Sequence, residues 1–434
     1  MIKKLLLTTV VIGVAGLAGF AIYAYEPELK PVSRPDPSSF AKETVDKGRV
    51  LAAAGYCATC HTSSDGAPYA GNYAMKTGFG TIYSTNITPD EETGIGTWSE
   101  EAFIRAMRHG VDREGNYLFP AFPYTHFAKM SDEDIKALYA YLMTDVEPVK
   151  ATHDKNELPF PLNQRYLQAG WQLLFADTHP YEPDSSQGAD WNRGAYLVEG
   201  LTHCGACHTP RNPFGAEKDD ERFAGAKIDN WVAPALTNAN ASGVPWTAKD
   251  YASYLKNGYT TYQGSAAGPM SPVVHAGIAQ LPDSDIAAMG IYLASLNSEP
   301  KNDPATSEAV IASLKAGAPD KNYRLEEGQR LYTTACAACH YNADQVKAGR
   351  PDLGINSAVR IDDPTNLIHV ILNGIDAQAG IPGVVMPGFR NAMSDDEIAK
   401  LAAYLRASRT SEPEWKDLSQ KVSEIRALST AESH

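Results

Sequence analysis

All six cysteines of this chain fall in three copies of one pattern, Cys-x-x-Cys-His: Cys57/Cys60/His61, Cys204/Cys207/His208 and Cys336/Cys339/His340. Two thiols at this spacing can add across the two vinyl groups of one porphyrin, and the histidine that follows is placed to reach the iron. Three copies therefore predict three covalently bound haem c groups. Other uses of the cysteines fit less well. Tetrahedral zinc would join two of the pairs and leave the third over, and a redox dithiol needs no histidine behind it.

The second axial position decides what each iron can do. Twelve residues beyond Gly258 and Gly374 stand Met270, in Gly-Pro-Met-Ser-Pro, and Met386, in Val-Met-Pro-Gly-Phe. A thioether opposite histidine raises the potential, and a six-coordinate iron exchanges electrons without binding substrate. Methionine is often a core filler, but the shared register in proline-bearing loops favours ligation. Phe122 stands at the corresponding place after Gly110 and cannot ligate. His126 and Met130 follow it, Met107 and Met75 precede it, and each is an alternative ligand. His126 would give bis-histidine ligation and a lower potential, unless it is only a hydrogen-bonded histidine. With no replacement the first iron would be five-coordinate and open to small ligands.

The elements that must position these groups recur three times. A short helical stretch with a glycine precedes each motif, at Gly48, Gly194 and Gly328. A second helix ends at Gly110, Gly258 and Gly374. A closing helix starts near Ser131, Pro282 and Ser394, with acids in its first turn, and runs on to Tyr-Leu at 141–142, 292–293 and 404–405. Ser131 and Ser394 read as N-caps, and the acids suit the helix dipole. Trp98 and Trp246, each twelve residues before its glycine, make the first two units the more alike. The fold class expected is mainly α, three tandem cytochrome c domains behind an N-terminal transmembrane helix. The boundaries are 1–30 (anchor or signal), 31–150, a connector 151–185, 186–300, a linker 301–320, 321–410 and a C-terminal amphipathic helix 411–434. In that last segment Trp415, Leu418, Val422, Ile425 and Leu428 share one face, which would pack on the third domain, on another subunit or on a membrane surface. Residues 171–175, Trp-Gln-Leu-Leu-Phe, are too apolar for a free tether and should pack against a domain. His153, His179 and His275 read as surface or structural residues.

Residues 5–24 are uncharged and mostly apolar, preceded by Lys3 and Lys4. About twenty such residues suffice to span a bilayer, and the leading lysines favour a cytoplasmic amino terminus. The alternative is a cleaved secretory signal. Either reading exports the chain, and the anchored one places it on the periplasmic side of the inner membrane. The formal net charge of −14 and pI of about 5.3 offer nucleic acid no basic patch. No phosphate loop, dinucleotide fingerprint or nucleophile elbow stands out.

Two longer stretches carry a resemblance. Gly80-Thr81-Ile82-Tyr83-Ser84-Thr85-Asn86-Ile87-Thr88-Pro89-Asp90 is one. The other runs from Asn163-Gln164-Arg165 through Ala169-Gly170-Trp171 and Trp191-Asn192-Arg193-Gly194 to Cys207-His208-Thr209-Pro210-Arg211-Asn212. Together they resemble the tri-haem cytochrome c subunits of bacterial membrane-bound dehydrogenases. The resemblance implies a periplasm-facing subunit with no substrate chemistry of its own. A partner using pyrroloquinoline quinone, flavin or molybdenum would oxidise an alcohol, aldehyde, sugar or sugar acid, and electrons would pass through the haems to ubiquinone. Phe122 departs from the methionine loop of the alcohol-oxidising members. With Thr125-His126-Phe127 it is similar to subunits that serve molybdenum aldehyde- or nicotinate-oxidising enzymes. Two other roles fit the residues: a free-standing carrier feeding a terminal oxidase, and a peroxidase-like haem enzyme reacting at an open first iron.

Overall fold

The computed structural model describes residues 2–434 except 229, 298–306, 320, 321, 323, 344, 348 and 432–434. The chain is mainly helical and forms two compact units, 1–182 and 183–434, the first holding one repeat and the second holding two.

One helix crossing is built three times. The leading helix Lys42–Ala54 meets the closing helix Asp132–Thr144 in the first repeat, Ala189–Tyr196 meets Asp283–Ser295 in the second, and Glu327–Leu331 meets Asp395–Arg409 in the third. The repeated glycine is the crossing point. A Cβ on Gly48 would lie 1.9 Å from the Ala137 carbonyl oxygen, on Gly194 2.0 Å from that of Ala288, and on Gly328 2.3 Å from that of Lys400. The same added Cβ would also come within 2.7–2.9 Å of the Cβ of the tyrosine in each Tyr-Leu pair, Tyr141, Tyr292 and Tyr404. Any side chain at these glycines would force the helices apart, so the recurrence in sequence has a steric cause. The residue before each glycine adds an ion pair to the closing helix: Lys47–Asp134 at 2.7 Å, Arg193–Asp285 at 2.7 Å and, with the charges exchanged, Glu327–Lys400 at 2.8 Å.

Capping fixes where the helices begin. Ser131 accepts from the Asp134 amide, and Ser394 forms a reciprocal box with Glu397. Pro282 starts its helix with no side-chain cap. One residue before each start a hydrophobic side chain is buried, Met130, Leu281 and Met393. The middle helices Glu100–His109 and Ala248–Asn257 end on left-handed Gly110 and Gly258, and Thr365–Asn373 ends on Gly374.

Both connecting segments carry a helix, which the linker-like composition of 301–320 had not implied. In the first connector Gln168–Phe175 is a helix whose Ala169 is buried with Val111 and Tyr117. Trp171 meets Tyr124 edge to face at 6.3 Å, and Gln172 donates to the His109 carbonyl at 2.8 Å. Part of the linker expected at 301–320 lies outside the described residues, but Glu308–Ala316 is a helix, capped by Ser307, with Val310 buried beside Val244 and Ile355. The C-terminal helix Leu418–Ala431 buries Val422 and Ile425 in the core of the third repeat, with Trp415 and Leu418 packed against it, so most of the apolar stripe is covered by its own domain while Leu428 stays exposed.

At the amino terminus the apolar stretch forms the helix Ile2–Tyr23. Among the described residues, however, no helix is long and apolar enough to cross a membrane, and the structure does not support the expected transmembrane helix. The side chains of residues 3, 5–7 and 10, which fall in this stretch, lie outside the described residues.

Candidate functional site

Each Cys-x-x-Cys-His motif sits on one helical turn just after its leading helix: Cys57–Cys60, Gly205–His208 and Ala337–His340. In the first two repeats the residue before the first cysteine, Tyr56 or His203, has positive φ, which turns the chain sharply out of the helix. In the second and third a π turn, Leu197–Leu201 or Tyr332–Cys336, widens the helix just ahead of the motif.

The three histidines are held alike. Nδ1 of His61 lies 2.7 Å from the Thr85 carbonyl, that of His208 2.7 Å from the Pro234 carbonyl, and that of His340 2.8 Å from the Pro351 carbonyl. A carbonyl only accepts, so Nδ1 carries the proton and Nε2 keeps its lone pair for a metal. Burial pushes all three imidazoles toward the neutral, ligating form. In the first repeat the long sequence motif supplies the anchor: Asn86, next to Thr85, donates to the Val149 carbonyl at 2.7 Å and accepts from the Thr88 amide at 2.9 Å. Asn240 does similar work near Pro234 by donating to the Ala235 carbonyl.

None of the cysteines is disulfide-bonded. Burial, reinforced by Cys60, pushes the Cys57 thiol up to about 12, and burial pushes Cys204 and Cys336 up to about 11. A working redox dithiol needs the opposite, a thiolate stabilised near neutrality. One buried donor is open to a group from outside the chain. The Trp246 indole N–H is shut off from solvent with no partner. Paired thiols, five of the six partly buried, with an oriented imidazole and an orphaned indole N–H together fit a porphyrin. When bound, haem c supplies a one-electron carrier whose potential the axial ligands tune.

The other candidate ligands separate by position. Met270 opens the short helix Met270–Pro272 and is half-buried. Met386 is half-buried in a loop and exchanges two 2.9 Å backbone hydrogen bonds with Ile375. Phe122 packs against Phe127 at 5.3 Å between ring centres. His126 lies on the short helix Tyr124–Phe127 and is buried. Met130 is fully buried in the position that Leu281 and Met393 fill in the other repeats, and Met107 is buried on the middle helix three residues before its glycine, as are Leu255 and Ile371. These two are core residues by register. Met75 lies on a hairpin strand opposite Ile82.

His153 and His179 are exposed and bonded locally, to the Asp154 carbonyl and the Asp177 carboxylate. His275 is different, because its Nε2 reaches the Ala379 carbonyl of the third repeat at 3.1 Å. Sequence reasoning missed this junction, for which no local pattern exists.

Family models match residues 45–145 (cytochrome c) and 324–405 (cytochrome c oxidase, cbb3-type, subunit III). The fructose dehydrogenase cytochrome subunit of Gluconobacter japonicus is 37% identical over 86% of this chain and 81% of its own length. The gluconate 2-dehydrogenase cytochrome c subunit of Pantoea cypripedii is 36% identical over 90% and 91%. The chain belongs to the family of dehydrogenase cytochrome c subunits. This cytochrome subunit carries covalently bound haem c and transfers electrons. It is also 45% identical, over 93% of its length, to one of the subunits of nicotinate dehydrogenase from Pseudomonas putida, a longer polypeptide of which it spans 33%.

Proposed function

We propose that this cytochrome subunit holds three haem c groups and relays electrons from a separate catalytic dehydrogenase to ubiquinone at the membrane. The observation that carries this reading is the threefold repetition of one anchor, a Cys-x-x-Cys pair followed by a histidine tied through Nδ1 to a backbone carbonyl. Cys57, Cys60, Cys204, Cys207, Cys336 and Cys339 form the thioether links, and His61, His208 and His340 are the proximal ligands. Met270 and Met386 are the distal ligands of the second and third sites. For the first site the ligand is His126 rather than Met130, since Met130 fills a core position common to all three repeats.

The partner oxidises an alcohol, aldehyde, sugar, sugar acid or nicotinate, releasing two electrons and two protons per turnover. The likeness to the nicotinate dehydrogenase polypeptide, with the Phe122 loop, favours a molybdenum-dependent partner over one using pyrroloquinoline quinone or flavin. Residues 2–23 anchor the chain on the periplasmic side of the inner membrane. Their outward Val11, Ile12, Val14, Leu17 and Ile22 support this, as do Leu173 and Leu174 on the connector helix. A pyridine haemochrome assay is expected to return three haems per chain. Purification in detergent is expected to bring down a dehydrogenase that reduces a ubiquinone analogue only with this chain present. A stoichiometry far from three, or quinone reduction without the chain, overturns the proposal.

Phe122 favours a second reading, in which the first iron is left open and reacts with peroxide. Carbon monoxide added to the reduced protein separates the two. Binding at one site in three supports an open iron, and an unchanged spectrum supports a pure relay.

A further inference from the structure

Within the unit 183–434, the loop that carries Met270 and the loop that carries Met386 touch. The Ser271 hydroxyl, one residue after Met270, donates to the Ala379 carbonyl at 2.6 Å. His275 Nε2 donates to the same oxygen at 3.1 Å. Its ring lies over the left-handed Gly258, where a Cβ would come within 2.4 Å of the imidazole, so that glycine both ends the middle helix and seats the histidine. Ala379 belongs to the loop that leads from Gly374 to Met386. One carbonyl oxygen thus ties the two loops together.

The contact is braced from a second side. The hairpin strand Trp231–Ala233 of the second repeat docks on the helix Thr365–Asn373 of the third, where Asn366 exchanges both hydrogen bonds with the backbone of Val232 at 2.9 and 2.8 Å. Trp231 stacks on His369 with ring centres 4.5 Å apart and planes 13° from parallel. The same indole lies against Gly268, two residues before Met270, where a Cβ would come within 2.4 Å of the ring. Both sides of the Met270 loop are therefore fixed to the third repeat. A loop held by partly buried hydrogen bonds and an aromatic stack is restricted to one arrangement and transmits a displacement to its neighbour.

We propose that the Met270 and Met386 loops form one coupled element joined at the Ala379 carbonyl, with Ser271 and His275 as positioning residues that hold the second and third centres as an exchanging pair. The inference rests on the reading of Met270 and Met386 as ligands. The exchange is a single electron passing from the reduced centre of the pair to the oxidised one, with no proton or ligand transferred.

The test uses the full-length holoprotein and the double variant Ser271→Ala/His275→Phe, beside the single variant His275→Gln, which keeps a donor for Ala379. Paramagnetic NMR follows the haem methyl resonances of the third centre, and flash reduction follows redistribution between the second and third. In the double variant the third centre's resonances are expected to shift and the fast redistribution phase to be lost, although every substitution lies in the second repeat. His275→Gln is expected to behave as wild type. Unmoved third-centre resonances with redistribution at the wild-type rate overturn the coupling. The far-red charge-transfer band of methionine-ligated ferric haem checks the underlying reading separately: if wild type lacks it, the ligand assignment fails and the inference with it.

Discussion

The first and second repeats share a frame and differ in the loop that frame presents. Beyond the middle helix both make the same tight return: the Leu118 amide donates to the Gly110 carbonyl and the Ala266 amide to the Gly258 carbonyl, each at 2.7 Å. Twelve residues past each glycine the two diverge, to Phe122 packed on Phe127 in one and to Met270 opening a helical turn in the other. What lies over the glycine differs as well. A Cβ on Gly110 would meet the Tyr124 ring, which the connector helix backs through Trp171, whereas on Gly258 it would meet His275, which the third repeat holds. The scaffold that carries the Cys-x-x-Cys-His motif is therefore separable from the loop that follows the middle helix. Each loop is stabilised by whatever segment covers it.

Removing the grip is the strongest way to break the comparison. His208→Ala with Cys204→Ala and Cys207→Ala is expected to lower the haem count from three to two per chain by pyridine haemochrome, and the equivalent triple change at 57, 60 and 61 should do the same. A different count after either change would mean that the two anchors are not equivalent.

Exchanging the loops sharpens it. Met270→Phe is expected to abolish the far-red methionine–iron band of the second centre and lower its midpoint potential in a spectroelectrochemical titration. Phe122→Met is expected to add a band and raise the potential of the first centre if His126 can be displaced. Unchanged potentials in both variants would separate these loops from the irons.

The crossing tests whether the frames are alike. Gly48→Ala and Gly194→Ala each push a methyl to about 2 Å from a backbone carbonyl, and each is expected to cost about 1–3 kcal/mol from overpacking. Thermal unfolding measures this, and a null effect in one repeat alone would show that its crossing is looser.

The smallest effect separates the second repeat from the first by its bond to the third. Burial opposes ionisation of Asp363, but hydrogen bonds from Lys227, at 2.5 Å, and Thr365 outweigh it and hold the carboxyl below its ordinary value of 3.8. The folded-state value is depressed, so the stabilisation is fully present above the ordinary value and is lost as pH falls through the lowered one. Lys227 is largely exposed, which limits the pair to about 1 kcal/mol or less. Acid titration of unfolding should show wild type losing stability below about pH 4 more steeply than Asp363→Asn, while the unfolding of the first unit stays the same in both.

Much of the frame was legible in the chain because its causes are local. Caps at Ser131 and Ser394 and left-handed helix ends at Gly110 and Gly258 each follow from what one residue can do with its neighbours, whereas the repeated Gly48, Gly194 and Gly328 show in the chain as a recurrence whose cause, a helix crossing, lies far away in sequence. The helix Glu308–Ala316 was hidden by linker-like composition, since what holds it is burial of Val310 against residues distant in sequence. The carbonyl partners of the histidines were equally hidden, because any backbone carbonyl looks the same in a sequence.

The sequence by itself determined the residues for covalent attachment: two thiols separated by two residues and a following histidine act within one helical turn, and their number and spacing are independent of what surrounds them. Only the tertiary structure decided which methionines are core, which carbonyl orients each imidazole, and that His275 and Ser271 reach across to Ala379. Those outcomes depend on residues far apart along the chain, and burial and hydrogen-bond geometry select among partners that sequence spacing leaves equivalent.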